Sequence, residues 1–264
     1  MPLDLTFVSL LLTKMAVTAA FVLLATFVAQ RSGPLLGGLI ATLPIAAGPA
    51  YVFLALDHPP SFIAGGALAS LAINCANVVF ALTYALLAQK RSLAISLGGA
   101  FAAWLMLAIC VYSLHWSFAA ALGANVLVYA AALPLARPLR LTRMPPFRPH
   151  WSDLVLRAGM VAVLVGAVVA LSSHIGAAGS GILAVFPVVL MSMMLILHGR
   201  VGGQASAAVL ANAVLGLIGF SLFCIALYFA AEPLGSWAGL AVALAASIGW
   251  SLLVLYARMK GVKV

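Results

Sequence analysis

Charged residues are scarce in this chain, and acidic ones most of all. Only 6% of its 264 residues are charged and only four are Asp or Glu, whereas a soluble domain carries about a quarter charged residues. Hydrophobic residues make up 66% of the chain. This composition excludes a water-soluble domain, a coiled coil and a disordered chain. It also excludes a DNA-binding domain, although the net charge is +9.

Residues that usually carry catalysis or hold metal ions are few and scattered. The three Cys lie inside apolar stretches without paired spacing, and the five His show no i, i+4 pair. The chain contains no phosphate loop, nucleophile elbow or dinucleotide fingerprint. We therefore expect no metal, no cofactor and no enzymatic activity.

Long apolar runs dominate what remains. They are continuous, whereas the strands of a membrane barrel would alternate every second residue, and a helix needs about 20 apolar residues to cross a bilayer. We predict an all-α polytopic membrane protein with about nine transmembrane helices. The predicted spans are 6–30, 34–56, 61–88, 92–112, 116–136, 153–173, 176–198, 203–230 and 234–257.

The basic residues fall on one side of the membrane when the gaps between these spans are numbered alternately. The positive-inside rule makes that side cytoplasmic, with the amino terminus outside and the carboxyl terminus inside. The gaps on the other side contain acids and histidines but no Lys or Arg. The residues assigned to the cytoplasmic side are Arg31, Lys90, Arg91, Arg137, Arg140, Arg143, Arg148, Arg200, Arg258, Lys260 and Lys263.

One cytoplasmic loop, residues 137–153, carries four of these Arg residues. It is too polar to cross the bilayer, and each basic residue near an anionic surface adds roughly 1 kcal/mol of binding. We expect the loop to contact anionic lipid headgroups and expect no nucleic-acid partner. A small-molecule substrate is the other expected partner, and the oligomeric state is left open.

The chain matches itself at a displacement of about 143 residues. Gly33 meets Gly176, Gly38 meets Gly181, Pro44 meets Pro187, and Lys14 meets Arg157. We predict two four-helix repeats at 1–113 and 151–264, joined by a linking helix and basic loop at 114–150. The extra crossing turns the second repeat over, and inverted repeats are a recurring design of secondary transporters.

Several features of the first repeat occur together: Lys14, the Gln30-Arg31-Ser32 step, the segment Gly33-Pro-Leu-Leu-Gly-Gly-Leu-Ile-Ala-Thr-Leu-Pro44 and the acidic break at Asp57. They resemble small four-helix bacterial inner-membrane proteins of the GlpM type, over roughly residues 12–88 and more weakly over 156–230. The resemblance implies a bacterial inner membrane and a fused pair of units normally found singly. It implies no established activity. The second repeat departs from the pattern with Ala177 in place of Pro34 and no acid after its second span.

The candidate site residues lie inside the apolar spans, and each has two interpretations. The prolines indicate broken helices around a cavity, or ordinary packing kinks. Lys14 and Arg157 line an anion pathway, or extend to the nearest interface. The Asn, Ser and Thr residues line a substrate path, or join helices by hydrogen bonds. The candidates are Lys14, Thr42, Pro44, Asn74, Asn77, Arg157, Pro187, Ser192 and Asn212.

Two functions fit this pattern. The first is a small inverted-repeat transporter or flippase for a neutral or anionic solute, because no acid lies in a span interior. The second is a non-transporting accessory protein for envelope or polysaccharide assembly. A transporter should show a polar, water-accessible cavity at mid-depth around Pro44 and Pro187.

Overall fold

The computed structural model describes residues 5–31, 44, 47–142 and 150–260. Within these residues the secondary structure is 91% helix and contains no strand. Seven helical segments of the described chain are long and apolar enough to cross a membrane. The all-α class is thereby confirmed, and the fold fits a polytopic membrane protein.

Nine α-helices and one 3₁₀ turn follow each other in the described residues. They are α1 Leu5–Arg31, α2 Ala47–Asp57, α3 Pro60–Leu87, α4 Leu93–Ser113, α5 Phe118–Ala136, the 3₁₀ turn Arg137–Leu141, α6 Trp151–Ala184, α7 Val188–Val201, α8 Gly203–Leu234 and α9 Ser236–Met259.

Helices α3 and α8 form the centre of the bundle and pack against each other more extensively than any other described pair. In the most apolar 18-residue stretch of α3, 72% of the residues are buried, whereas only 22% are buried in the corresponding stretches of α5 and α9. The outer helices present large apolar side chains, such as Leu127, on the surface. An apolar outer surface is suited to contact with lipid chains rather than water.

Helix α6 contains a sharp reversal at Gly176, where φ is +66° and ψ is −175°. The start of α6 contacts the end of α7, since Asp153 lies 2.6 Å from Arg200. The middle of α6 lies beside the start of α3, since Ser172 Oγ is 2.8 Å from Nε2 of His58, which precedes that helix. The chain therefore runs along α3 to this point, turns at Gly176 and returns to the other end of α3. The boundary predicted between residues 173 and 176 falls at this turn.

The segment that follows this turn, residues 177–186, is here called the returning segment, and it ends in a second interruption at Pro187. Helix α6 ends at Ala184 and α7 begins at Val188, with Pro187 itself at φ −74° and ψ 39°. Proline cannot donate a backbone hydrogen bond, so a helix loses one i to i−4 hydrogen bond at a proline. The carbonyl of Leu183 accepts a bond from the amide of Phe186 at 3.0 Å. The break is thus a true discontinuity of the helix.

Pro44 and Pro187 each accept a backbone hydrogen bond from the residue four positions on. The Pro44 carbonyl accepts from Gly48 N–H at 2.7 Å, and the Pro187 carbonyl accepts from Met191 N–H at 2.8 Å. Pro187 directly precedes α7, and Pro44 lies three residues before the start of α2. The rest of the predicted second span before α2, including Thr42, lies outside the described residues.

Close contact between α3 and the returning segment depends on glycine. A Cβ added at Gly181 would lie 2.1 Å from the Gly66 carbonyl oxygen, well inside the sum of van der Waals radii. The Ser70 hydroxyl also donates to the Gly181 carbonyl at 2.7 Å. Small residues allow helix backbones to approach closely in membranes, and here they allow the returning segment to pack directly against α3.

We expect Gly181→Ala to lower the free energy of unfolding by about 1–3 kcal/mol, because the added methyl group forces the two backbones apart. Thermal unfolding in detergent measures this loss. The matched control is Gly123→Ala on α5, where an added Cβ meets nothing within 4 Å. Equal melting temperatures for the Gly181 variant and the wild type would contradict the close contact.

Candidate functional site

Lys14 forms an ion pair with Asp57. Its Nζ lies 2.5 Å from Asp57 Oδ2, and the side chain of Lys14 is only 8% exposed. The ammonium group also lies 5.8 Å from the centre of the Phe53 ring. The pair joins α1 to the last residue of α2. The partner of Lys14 in this structure is therefore a carboxylate of the same chain.

A second ion pair joins Arg200 to Asp153, with Nη2 and Oδ1 2.6 Å apart. Asp153 is buried near the start of α6, where its other oxygen accepts from the backbone amide of His150 at 2.8 Å. A carboxylate in the first turn is favoured by the partial positive charge of a helix amino terminus. This pair holds the start of α6 to the end of α7.

The two ion pairs place their acid and their cation on different helices. In the first, the cation is on α1 and the acid ends α2; in the second, the acid is on α6 and the cation is near the end of α7. Asp57 and Arg200 are also 143 residues apart, the displacement of the internal repeat. Asp153 does not align with Lys14 at this displacement, so only one member of each pair corresponds.

The two pairs lie at opposite ends of the bundle. Asp57 lies three residues before Pro60, where α3 begins. Tyr84 Oη, near the end of α3, lies 2.6 Å from Nδ1 of His198, which is two residues before Arg200. The 28 residues of α3 correspond to a length of roughly 42 Å. A change that opens one end of the bundle can therefore leave the other ion pair intact.

Arg157, which the repeat aligns with Lys14, lies one turn beyond Asp153 on α6. Its Nε is buried and has no hydrogen-bond partner. No described contact brings Arg157 and Lys14 together, and they belong to different ends of the bundle. The two predicted cations therefore do not form one site.

Asn77 stabilises the break at Pro187. Its Nδ2 donates to the carbonyl of Val185 at 3.0 Å, and its Oδ1 accepts from Trp104 Nε1 at 2.7 Å. The Trp104 ring in turn meets Phe186 edge to face, with centroids 5.1 Å apart. Both the nitrogen and the oxygen of the Asn77 amide are thus hydrogen-bonded to protein groups, as the helix-joining interpretation of Asn77 predicts.

Ser192 and Asn212 also have partners within the protein. Ser192 is buried and donates to the carbonyl of Val189 on its own helix at 2.9 Å. Asn212 Nδ2 donates to the carbonyl of Ala208 at 2.8 Å, while its Oδ1 accepts from Arg258 at 3.1 Å. Neither residue lies next to Asn74 or Asn77 among the described contacts.

Asn74 belongs to a buried polar network at the junction of α3, α5 and α8. Its Nδ2 lies 2.8 Å from Ser221 Oγ and 3.0 Å from Tyr129 Oη. Asn125 accepts from Ser221 at 3.2 Å. The Oδ1 atom of Asn74 is buried without a partner. This network places one unsatisfied acceptor near the middle of the central helix.

Sequence reasoning missed Asn125, Tyr129 and Ser221. Asn125 and Tyr129 are four residues apart in α5 and therefore share one face of that helix. Two polar residues at this spacing in an apolar span could have indicated the buried face of α5. The spacing alone does not identify the helices that this face contacts.

An apolar groove of about 540 Å³ lies beside Pro44. It is partly open and bounded by α1, α2, α8 and α9. Thr18 contributes the only polar side chain among its described lining residues, and its hydroxyl donates to the Lys14 carbonyl at 2.9 Å. Other lining residues are Val17, Phe21, Val52, Leu240 and Ile248.

A second apolar groove of about 580 Å³ lies beside the break at Pro187. It is bounded by α6, the end of the returning segment and the first residue of α7, and its described lining residues have no polar side chain. They include Leu156, Met160, Leu164, Leu183, Phe186 and Val188.

Some lining residues of the two grooves are separated by the same 143 positions. Val17 and Phe21 of the first groove align at this displacement with Met160 and Leu164 of the second. The first groove lies between α1 and Pro44, and the second lies between α6 and the break at Pro187. The described walls of both grooves are carbon-rich side chains, so neither groove is the polar cavity expected at these prolines.

We expect Lys14→Met to lower the free energy of unfolding by roughly 1–3 kcal/mol, since it leaves Asp57 without its counter-charge. The loss is smaller than for a fully buried pair because Asp57 is 37% exposed. Thermal unfolding in detergent measures it. Glu232→Gln, at an exposed acid, is the control and should stay within about 0.5 kcal/mol of the wild type. A Lys14→Met variant as stable as this control would refute the contribution of the ion pair.

Comparison with known proteins returns no match: no protein-family model, no curated protein and no solved structure matches this chain. The GlpM-type resemblance therefore stays a prediction. The function has to be inferred from the arrangement of the ion pairs, the helix breaks and the grooves.

Proposed function

We propose that the protein is an inverted-repeat membrane transporter of the flippase type, whose cargo is an amphiphile with an apolar chain and a neutral or anionic polar group. The observation that carries this proposal is the pair of apolar grooves at related positions beside the two prolines. A carrier for a fully polar solute would need polar groove walls, and these grooves have apolar ones.

The packing of the helices supports the inverted repeat. The first helices of the two halves, α1 and α6, contact each other, as do the third, α3 and α8. Contact between α3 and α4 has its counterpart in α8 and α9, and contact between α4 and α7 has its counterpart in α9 and α2. Such paired contacts are expected when two like units are related by an axis in the membrane plane.

The proposed architecture has nine crossings. Helix α2 has 11 residues and covers only about 16 Å, which is less than the thickness of the hydrocarbon core. The segment 151–201 supplies two crossings, one on each side of Gly176. Helix α5 is the extra crossing between the halves, and it turns the second half over.

Alternating access then has a simple physical basis. Each ion pair joins two helices at one end of the bundle, and the pairs have related positions at opposite ends. Separation of α1 from α2 would open one groove toward one leaflet, while separation of α6 from α7 would open the other groove toward the other leaflet. Reversible transport requires the two open states to be close in energy, and each state breaks one ion pair and keeps the other.

The grooves suit a weakly held chain. Their volumes of about 540 and 580 Å³ lie within the range of roughly 300–1,000 Å³ typical of small-molecule sites. The hydrophobic effect does not favour moving an acyl chain from lipid into an apolar groove, since both are apolar. Binding therefore depends on shape and on the polar group, and fast release is expected.

We expect Val17→Trp and Met160→Trp each to slow exchange of a fluorescent phospholipid between leaflets by about tenfold or more, because the indole ring fills a groove. Protein reconstituted in liposomes and chemical bleaching of the outer-leaflet label measure the rate. Leu127→Trp, on the lipid-facing surface of α5 at 73% exposure, is the control and should leave the rate unchanged.

The same assay separates the two candidate functions. Exchange by the wild type no faster than in protein-free liposomes would reject the flippase proposal and favour a non-transporting accessory protein. If Leu127→Trp slowed exchange as much as the groove variants do, the loss of rate would come from adding an indole ring anywhere on the protein, and not from filling a groove.

The proposed orientation places the start of α3 outside and its end in the cytoplasm. With Cys75, Cys110 and Cys224 replaced by Ala, we expect Ser61→Cys to react with an impermeant maleimide from outside and Arg91→Cys only after permeabilisation. Both positions are exposed, so access depends on the side of the membrane. Labelling of both from one side would refute the topology.

A further inference from the structure

Three arginines meet at one end of the bundle without an acidic partner in the described residues. Arg140, in the 3₁₀ turn after α5, donates from Nε to the Ala211 carbonyl of α8 at 3.2 Å. Arg258 of α9 donates to Asn212, the next residue of α8, at 3.1 Å. Arg137 begins the 3₁₀ turn. Both Arg137 and Arg258 are close enough to Arg140 to repel it electrostatically.

No described carboxylate balances this charge. Asp57 and Asp153 are paired with Lys14 and Arg200. Glu232 lies 20 residues from Asn212 along α8, which is roughly 30 Å away. One guanidinium nitrogen of Arg140, Nη2, is buried without any hydrogen-bond partner. Like charges held together by contacts to α8, with an unused donor, form a donor set suited to an anion.

Neighbouring aromatic residues place this cluster at the depth of the lipid headgroups. Trp250 of α9 donates from Nε1 to the Leu215 carbonyl at 2.8 Å, one turn along α8 from Ala211. Tyr256 is exposed, and Lys260 lies 5.7 Å from its ring. Trp and Tyr collect at the interface between hydrocarbon and water.

We propose that Arg137, Arg140 and Arg258 form a binding site for a phosphate group, supplied by an anionic lipid headgroup or by free phosphate. The planar guanidinium group binds two phosphate oxygens at once, and its charge is permanent. The backbone bond from Nε fixes the plane of Arg140, so that its remaining donors are preorganised. The site does not depend on the transport proposal, since it shares no residue with either groove.

Lipid retention on the purified full-length protein tests this site. Native mass spectrometry counts phosphatidylglycerol and phosphatidylcholine bound after delipidation and re-addition, and a thermal-shift titration follows inorganic phosphate. We expect the wild type to retain phosphatidylglycerol in preference to phosphatidylcholine. We expect Arg140→Gln and Arg258→Gln each to weaken that retention by roughly tenfold, the value of one charge-assisted hydrogen bond.

The control is Arg91→Gln, at an exposed arginine in the turn between α3 and α4, which should retain lipid like the wild type. Arg258→Gln changes only one exposed side chain, so it is expected to fold. It therefore tests the site even if Arg140→Gln unfolds. Competition by millimolar phosphate identifies free phosphate as a ligand, and retention without competition identifies the headgroup; both support the site. Retention unchanged in both variants, or reduced equally by Arg91→Gln, would overturn it.

Discussion

A helix that is interrupted inside a hydrocarbon layer has to find protein partners for its freed backbone groups. The break at Pro187 meets this constraint through Asn77, which donates to the Val185 carbonyl and is itself held by Trp104. Gly66 and Gly181 let α3 approach the broken segment closely enough for such bonds. Helix α3 is therefore both the main partner of α8 and the support of this break.

The ion pairs and the grooves lie along the same two helix junctions, α1 with α2 and α6 with α7. Asp57 ends α2 and Arg200 lies next to the end of α7, and an oppositely charged residue on α1 or α6 holds each one in place. Apolar side chains of the same helices line the grooves beside Pro44 and Pro187. The proposed movement of an amphiphile uses these parts together: grooves that receive a chain and junctions that open one end at a time.

The apolar runs, the turn near Gly176 and the interruption at Pro187 were predictable from the sequence, because each has a local cause in hydropathy, glycine or proline. The partners of Lys14 and Asn74 were not predictable. Asp57 is 43 residues from Lys14 and Ser221 is 147 residues from Asn74, so these contacts depend on which helix faces meet. The apolar character of the grooves was missed for the same reason, since Pro44 and Pro187 carry no information on their neighbours' side chains.

The central claim is that the two ends of the bundle open separately. Pulsed electron paramagnetic resonance in lipid nanodiscs measures this directly, with spin labels at Leu10 and Leu56 across the first junction and at Ser152 and Gly199 across the second. The account predicts a short and a long distance at each junction, with the long population at the first junction increased by Lys14→Met and that at the second by Asp153→Asn. A single narrow distance at both junctions, unchanged by either substitution, would contradict it.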